Sequence, residues 1–223
     1  MTERASRTRR LVLVRHAESE ANAGRPCADP RSSPLTELGL RQAERVARGW
    51  REAPGLIVTS PFVRARRTAD ATARRFPDVP SQVWPVGEFL YLSGPPALLA
   101  SPAGRRPLAD AYWRRADPAH RDGPGAESFH GLLDRASRFL DQAAGLPGAA
   151  VTAVFTHELF IRAVLWRILL PDRPVGPEAM TDFHGWRRSL PLGNTGVVQI
   201  AVHQQFGVRL ESVGEGGAGV EAP

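Results

Sequence analysis

Three short apolar runs of this chain each lead into residues that can do chemistry. Leu11-Val12-Leu13-Val14 empties into Arg15-His16, and Leu56-Ile57-Val58 leads through Ser60-Pro61 to Arg64. Val151 to Phe155 ends in Thr156-His157. Apolar, β-branched runs of this length read as strands buried on both faces of a sheet. In open α/β sheets, ligands bind outside the carboxyl ends of such strands. A lone Arg-His there reads equally well as a solvated strand end, and a histidine can be acid, base, metal ligand or nucleophile. Recurrence at three strands changes the balance. Two histidines and two arginines would gather at one edge of a parallel sheet, as an anion pocket that contains a nucleophile.

The motifs around these residues resemble those of the histidine phosphatase superfamily, the phosphoglycerate-mutase-like enzymes. Arg15, His16, Glu18, Ser19 and Asn22 match its Arg-His-Gly-Glu-Ser-x-x-Asn motif. Leu35, Thr36, Gly39, Gln42 and Ala43 match a second motif, and Ser60, Pro61, Arg64, Ala65, Thr68 and Ala69 a third. Gly125-Ala126-Glu127-Ser128 with Arg135, Thr156-His157 and Gly193-Asn194-Thr195 follow in the family's order, over roughly residues 10–202. Two positions depart from the pattern: Ala17 and Glu158 stand where glycine is usual after each histidine. Glycine allows the closest backbone approach, so Ala17 is expected to narrow the space beside a phosphate. Arg67, where glutamine is common, reads as a solvated helix face.

The residue types suit phosphoryl transfer. An imidazole needs no deprotonation to attack phosphorus if its other ring nitrogen is held as a donor, which fits His16. Arg15, Arg64 and His157 would hold the non-bridging oxygens, with Asn22 as a further phosphate ligand, and such positioning and charge stabilisation are most of what the reaction requires. The leaving oxygen still needs a proton. By resemblance the donor is a carboxylic acid after the third strand, and Glu88 is the choice; apolar neighbours such as Val86 and Phe89 would raise its pKa by desolvation. Glu127 is the rival, but it opens a helix where a carboxylate is expected for structural reasons. His120, His130, His184 and His203 show no metal-ligand spacing, so neither a metal nor another cofactor is expected.

Composition bounds the rest. The chain has 223 residues with 42% hydrophobic content, enough for one domain with insertions. The lone Cys27 cannot form an internal disulfide, which suits a reducing cytoplasm, and it reads as a passive thiol. No apolar run approaches the ~18 residues of a membrane span, and the N-terminus lacks a signal-like apolar region. Net charge is +6, but all 29 basic residues are arginine and no basic motif is interleaved with aromatics. That pattern reads as compositional bias, and nucleic-acid binding is not expected. A homodimer is compatible with the sequence.

The elements that must position the site are a strand at 11–15, helix 37–50, strand 55–59, helix 62–76 and strand 82–86. They continue with helix 127–144, strand 151–156, helix 158–170 and strand 196–203, with a last strand near 207–212. Ser60-Pro61 reads as a hydroxyl cap with proline in the first turn. The fold class this implies is a three-layer α/β/α sandwich with a mostly parallel central sheet, phosphoglycerate-mutase-like by the resemblance. Residues 1–10 are expected to be a flexible N-terminus, 11–212 one domain, and 213–223 a disordered tail. An insertion at about 89–126, helical over 108–115, is expected to cover the site, with Trp113 and Arg114 as lid residues reading the leaving group. The plainer alternative is a solvated helical insertion with a buried Trp113. The expected function is metal-independent hydrolysis of a small-molecule phosphate monoester through a phosphohistidine. A phosphoglycerate-type mutase, or a non-catalytic phospho-ligand-binding protein, is the alternative.

Overall fold

Alternation along the first strand decides the layering. A computed structural model describes residues 8–27, 29–94, 99, 101–147, 151–203 and 207–214. The strands are β1 (Thr8–Arg15), β2 (Leu56–Thr59), β3 (Ser81–Val83), β4 (Thr152–Thr156), β5 (Val197–His203) and β6 (Gly207–Gly214). The helices are α1 (Glu37–Gly49), α2 (Val63–Arg75), α3 (Pro102–Arg115), α4 (Phe129–Ala144), α5 (Glu158–Leu169) and α6 (Pro177–Trp186). Successive side chains of a strand face opposite ways. Val12 and Val14 therefore pack with Val46 and Trp50 of the α1 region and Ala69 of α2. Leu11 and Leu13 pack on the other side, in a larger core with Phe129, Leu132, Phe160 and Met180 from α4, α5 and α6. The chain is thus a three-layer α/β/α sandwich.

The sheet order is β3-β2-β4-β1-β5-β6. β1 is parallel to β4, β4 to β2 and β2 to β3. The last two strands are antiparallel to their neighbours, so the sheet is mostly parallel. In the parallel part the register brings three strand ends level: Arg15 pairs with Thr156, and Thr59 with Phe155.

Several expected boundaries shift for identifiable reasons. Residues 8–10 are strand rather than flexible terminus, because Thr8, Arg9 and Arg10 pair with His203, Val202 and Ala201. Arg9 also donates to the carbonyls of Ala143, Ala144 and Leu146. Residues 1–7 lie outside the described residues. Val213 and Gly214 belong to β6 instead of a tail, and residues 215–223 are not described. The third strand is short: Trp84 still donates to the Thr59 carbonyl at 3.0 Å, and Pro85, lacking an N–H, ends the pairing. Ser60 does not cap α2. Phe62 is the N-cap, and its N–H donates to Ser60 Oγ at 3.1 Å. α3 begins six residues earlier than expected, because Ser101 caps Gly104 N at 3.1 Å and Pro102 occupies the first turn; Pro107 is carried inside the helix. α6 was not anticipated, although Gly176-Pro177 and buried Met180 and Phe183 mark it. Among the described residues no helix is long and apolar enough to cross a membrane.

Gly39 in the first turn of α1 shows why the second motif needs glycine. A Cβ there would lie 2.0 Å from the carbonyl oxygen of Glu18, on the segment that follows His16. That carbonyl accepts from Thr36 N at 3.1 Å, which ties the helix start to the segment. Helix propensity alone would make Gly39→Ala stabilising by about 1 kcal/mol. Overpacking against backbone, at roughly 1–3 kcal/mol, opposes it and is expected to win. The variant should melt several degrees below the parent in a calorimetric scan, at about 2–4 °C per kcal/mol for a chain of this size. An equal or higher Tm would show that the helix shifts freely.

Candidate active site

The level ends of β1, β2 and β4 bring His16, Ser60 and His157 together, and α2 and α5 start beside them. His16 N donates to the Thr156 carbonyl at 2.9 Å, and Arg15 N to that of Gly196 at 2.9 Å, so both neighbours fix this backbone. The His16 ring is buried, with Nδ1 2.7 Å from the Ala17 carbonyl. A carbonyl only accepts, so Nδ1 carries the proton and the lone pair sits on Nε2. Arg64 Nε donates to that Nε2 at 2.9 Å. Burial, then the charges of Arg64 and Arg15, push the His16 pKa well below its usual value, which keeps the ring neutral.

His157 is fully buried, and its ring centroid lies 5.1 Å from that of His16. Ser60 Oγ accepts from Phe62 N and lies 2.7 Å from His157 Nε2. If the hydroxyl donates to Nε2, the remaining ring proton sits on Nδ1, a buried atom with no partner among the described residues. Burial, then Arg64, also drives the His157 pKa well below its usual value, which keeps this ring neutral too. Arg15 Nε is likewise buried without a partner. Arg15 Nε and, in that tautomer, His157 Nδ1 are thus buried donors near His16, and an unpaired buried donor costs roughly 1–3 kcal/mol.

Arg15, His16, Ser19, Asn22 and Arg64 line one end of a cavity of about 410 Å³, within the range of small-molecule sites. Asn22 Oδ1 accepts from Ser19 N at 3.2 Å and Asn194 Nδ2 at 3.2 Å, and Asn194 also donates to the His16 carbonyl at 3.1 Å. Thr195 follows with φ 62, a conformation costly for a β-branched residue, and delivers its N–H to the Arg15 carbonyl at 3.1 Å. His157 is not among the residues lining the cavity. Nor is Ala17, whose methyl packs with Leu35, Ala43, Ala47 and Ala71, so it does not narrow the space beside a phosphate.

Glu88 forms part of the cavity wall with Phe89 to Leu92. Its Oε1 accepts from Phe89 N at 3.0 Å and from Leu159 N, in the first turn of α5, at 3.1 Å. Burial raises its pKa, against the opposing pull of Arg64. Glu127 is occupied elsewhere: Arg135 holds both of its oxygens, at 2.9 and 2.7 Å, and also donates to the carbonyls of Pro85 and Gly87. That clamp fixes the segment carrying Glu88, while Glu127 faces a separate cavity on the far side of it.

The expected lid residues are placed elsewhere. Trp113 is buried, stacked on His184 with ring centroids 4.6 Å apart, and Arg114 is exposed away from the cavity. From α3 it is Pro102, Arg105, Arg106 and Ala109 that face the cavity. The reason is position along the helix: Pro102, Arg106, Ala109 and Trp113 share one face, and the cavity meets its N-terminal turns while Trp113 fills the core against α6 at the other end.

A model of the histidine phosphatase superfamily (branch 1) matches residues 11–205. The chain belongs to this superfamily. It is 30% identical over 169 residues to a metal-independent phosphoserine phosphatase of Arabidopsis thaliana, covering 71% of this chain and 68% of that protein. A probable phosphoglycerate mutase, GpmB, of Photorhabdus laumondii is 46% identical over 65 residues, which is 29% of this chain and only 30% of that protein. In fold, the chain resembles a putative alpha-ribazole-5'-P phosphatase from Escherichia coli with a TM-score of 0.72 at 21% identity, over 96% of this chain and 99% of that one.

Glu158 is the residue at this site whose role the motifs did not reveal. Its Oε2 lies 3.0 Å from Arg15 Nη2 and its Oε1 2.9 Å from Arg162 Nη2, so one carboxylate bridges two guanidinium groups. It competes with any anion for Arg15 and adds its charge to that of the region around Glu88. Glu158→Gln is expected to tighten binding of inorganic phosphate by roughly three- to tenfold, the scale of one partly screened charge pair. Isothermal titration checks this; unchanged or weaker binding would mean that the carboxylate's hold on Arg15 outweighs its charge.

Proposed function

We propose that this protein is a metal-independent phosphatase that hydrolyses a small-molecule phosphate monoester through a phosphohistidine on His16. The observation that carries this reading is the His16 ring: its Nδ1 proton is held by the Ala17 carbonyl, and its neutral Nε2 lies in the cavity beside Arg64 and Glu88. Such a ring can attack phosphorus with no base to deprotonate it. The phosphatase relatives support the same reading.

In the first step Nε2 displaces the contact with Arg64 and bonds to phosphorus, while the bond to the leaving oxygen breaks. Arg64 and Arg15 take the non-bridging oxygens by charge-assisted bonds, and His157, packed against the His16 ring behind the cavity surface, supports the ring from behind. Glu88, whose pKa burial raises, gives a proton to the leaving oxygen. In the second step the Glu88 carboxylate takes a proton from a water that attacks phosphorus. The N–P bond breaks, and inorganic phosphate leaves. Glu88 is preferred to Glu127 as the acid because it shares the cavity with His16, whereas both Glu127 oxygens are held by Arg135. Hydrolysis is preferred to mutase transfer because the match to a phosphatase covers 71% of this chain, whereas the mutase match covers 29% of it. A cytoplasmic location suits the unpaired Cys27.

His16→Ala is expected to abolish turnover of para-nitrophenyl phosphate and the acid-labile phosphoenzyme, and chelators are expected to leave the parent's activity intact. Substantial activity in the variant, or its loss in EDTA, would remove the mechanism. Glu88→Gln should slow alkyl phosphates by roughly 10²–10⁴-fold and aryl phosphates far less, because a nitrophenolate leaves without a proton. The pH profile follows in sign. His16 and His157 stay neutral to well below their usual pKa, so neither should impose a loss of activity between neutrality and mildly acid pH. Glu88 loses its proton as pH rises through its raised pKa, so alkyl-phosphate turnover should fall on the alkaline side, and Glu88→Gln should flatten that fall. Equal losses on both substrate types would point away from Glu88.

A further inference from the structure

We propose that the separate cavity on the far side of the Glu88 segment binds a small multivalent oxyanion other than the substrate, held by Arg31, Arg121 and Arg138. Arg15, His16 and Arg64 do not line this cavity, so the site stands apart from the phosphatase reading.

The cavity encloses about 460 Å³, within the range of small-molecule sites. Gly131, Arg135 and Arg138 stand four and three residues apart, so they form one stripe of α4, and all three line it. Arg31 reaches it from the segment before α1, and Arg121 from the segment before α4. Four guanidinium groups thus converge from three parts of the chain. Arg135 is matched, because Glu127 takes it with both oxygens. The other three are not. Arg31 has only Asp29, at 3.9 Å and with both side chains more than half exposed, a pair worth little. Arg121 and Arg138 have no carboxylate partner among the described residues. Asp122, next in the chain to Arg121, is engaged by Ser93 N at 2.9 Å and lies 3.7 Å from His120. Glu88 borders the cavity as well, but its Oε1 is taken by the N–H groups of Phe89 and Leu159. A concave wall of one sign focuses its field and concentrates counter-ions. Guanidinium forks bind phosphate and carboxylate through paired N–H donors, and three unmatched forks call for an occupant with more than one charge.

Isothermal titration tests the site with two probes, methylenediphosphonate, whose P–C–P link resists hydrolysis, and citrate. Each is titrated into the parent, into Arg15→Gln and into an Arg121→Gln/Arg138→Gln variant. Arg15→Gln weakens any binding in the catalytic cavity, so the event that keeps its parent affinity there belongs to the second site. In Arg121→Gln/Arg138→Gln that event is expected to weaken by about tenfold or more, the scale of two lost charge-assisted contacts. Rising ionic strength should weaken it in the parent too. The tighter probe assigns phosphate or carboxylate. No event that survives in Arg15→Gln, or one that persists at parent affinity without Arg121 and Arg138, would overturn the site. Turnover is not read, so a failure of the phosphatase reading would leave this result standing.

Discussion

The site depends on the in-register parallel pairing of β1 with β4 and of β4 with β2. That register sets Arg15 against Thr156 and Thr59 against Phe155, so the chain leaves three strands at one level. From there the backbone does most of the placing. The Thr156 carbonyl receives His16 N, the Ala17 carbonyl receives His16 Nδ1, and Thr68 Oγ1 receives Ala17 N at 3.0 Å. A slip of one residue in β1 would turn His16 to the opposite face and exchange the two cores. The sheet resists it because both faces of β1 are packed, Leu11 and Leu13 on one and Val12 and Val14 on the other. Catalytic geometry and sheet register are therefore one constraint.

The electrostatics of the floor follow from packing cations around a buried imidazole. Each arginine near His16 makes protonation of the ring costlier, and burial multiplies the effect by lowering the local dielectric. The same arginines would repel one another in an empty pocket. The structure limits that repulsion locally: Glu158 bridges Arg15 and Arg162, Arg162 also donates to the Leu190 carbonyl, and Arg64 leans on the Phe62 ring with its carbon 5.1 Å from the centroid. Donors that remain unpaired, Arg15 Nε and His157 Nδ1, lie beside the nucleophile.

Much of this was legible in the chain because strand-end chemistry combines two local signals, an apolar run and a charged or imidazole side chain directly after it. Arg15, His16 and Arg64 stand out that way, Glu88 comes from the resemblance to the superfamily, and all four line one cavity. His157 was found by the same signal and packs against His16, but burial places it behind the cavity surface. The misplaced lid has another cause, which is that spacing along a helix does not state which length of it meets the site. In α3 the face that carries Trp113 also carries Arg106 and Ala109, yet Trp113 finds its partners on α6, seventy residues further along and itself outside the expected elements. Ser60 misled for a different reason: a hydroxyl before proline is a good cap, yet here the oxygen is needed by His157. Glu158 looked like a simple departure from glycine, since only the fold brings Arg15 within 3.0 Å of it.

The insertion meets the core and the cavity at different lengths of a single helix. Its C-terminal half is held by aromatic contacts: Trp113 with Phe129, Phe183 and His184, and Tyr112 with Tyr91 and Phe89. Removing such a tryptophan costs roughly 3–5 kcal/mol, so that half is constrained by stability. The N-terminal half presents Arg105, Arg106 and Ala109 to the cavity while contributing no residue to the buried core. That half can vary at little cost to folding. The residues around His16 are different, because they are also the backbone ties that keep the strand ends level. The strand-end cluster is consequently bound to the fold, whereas the cavity wall that α3 supplies rests on one turn of a helix that the fold merely holds in place.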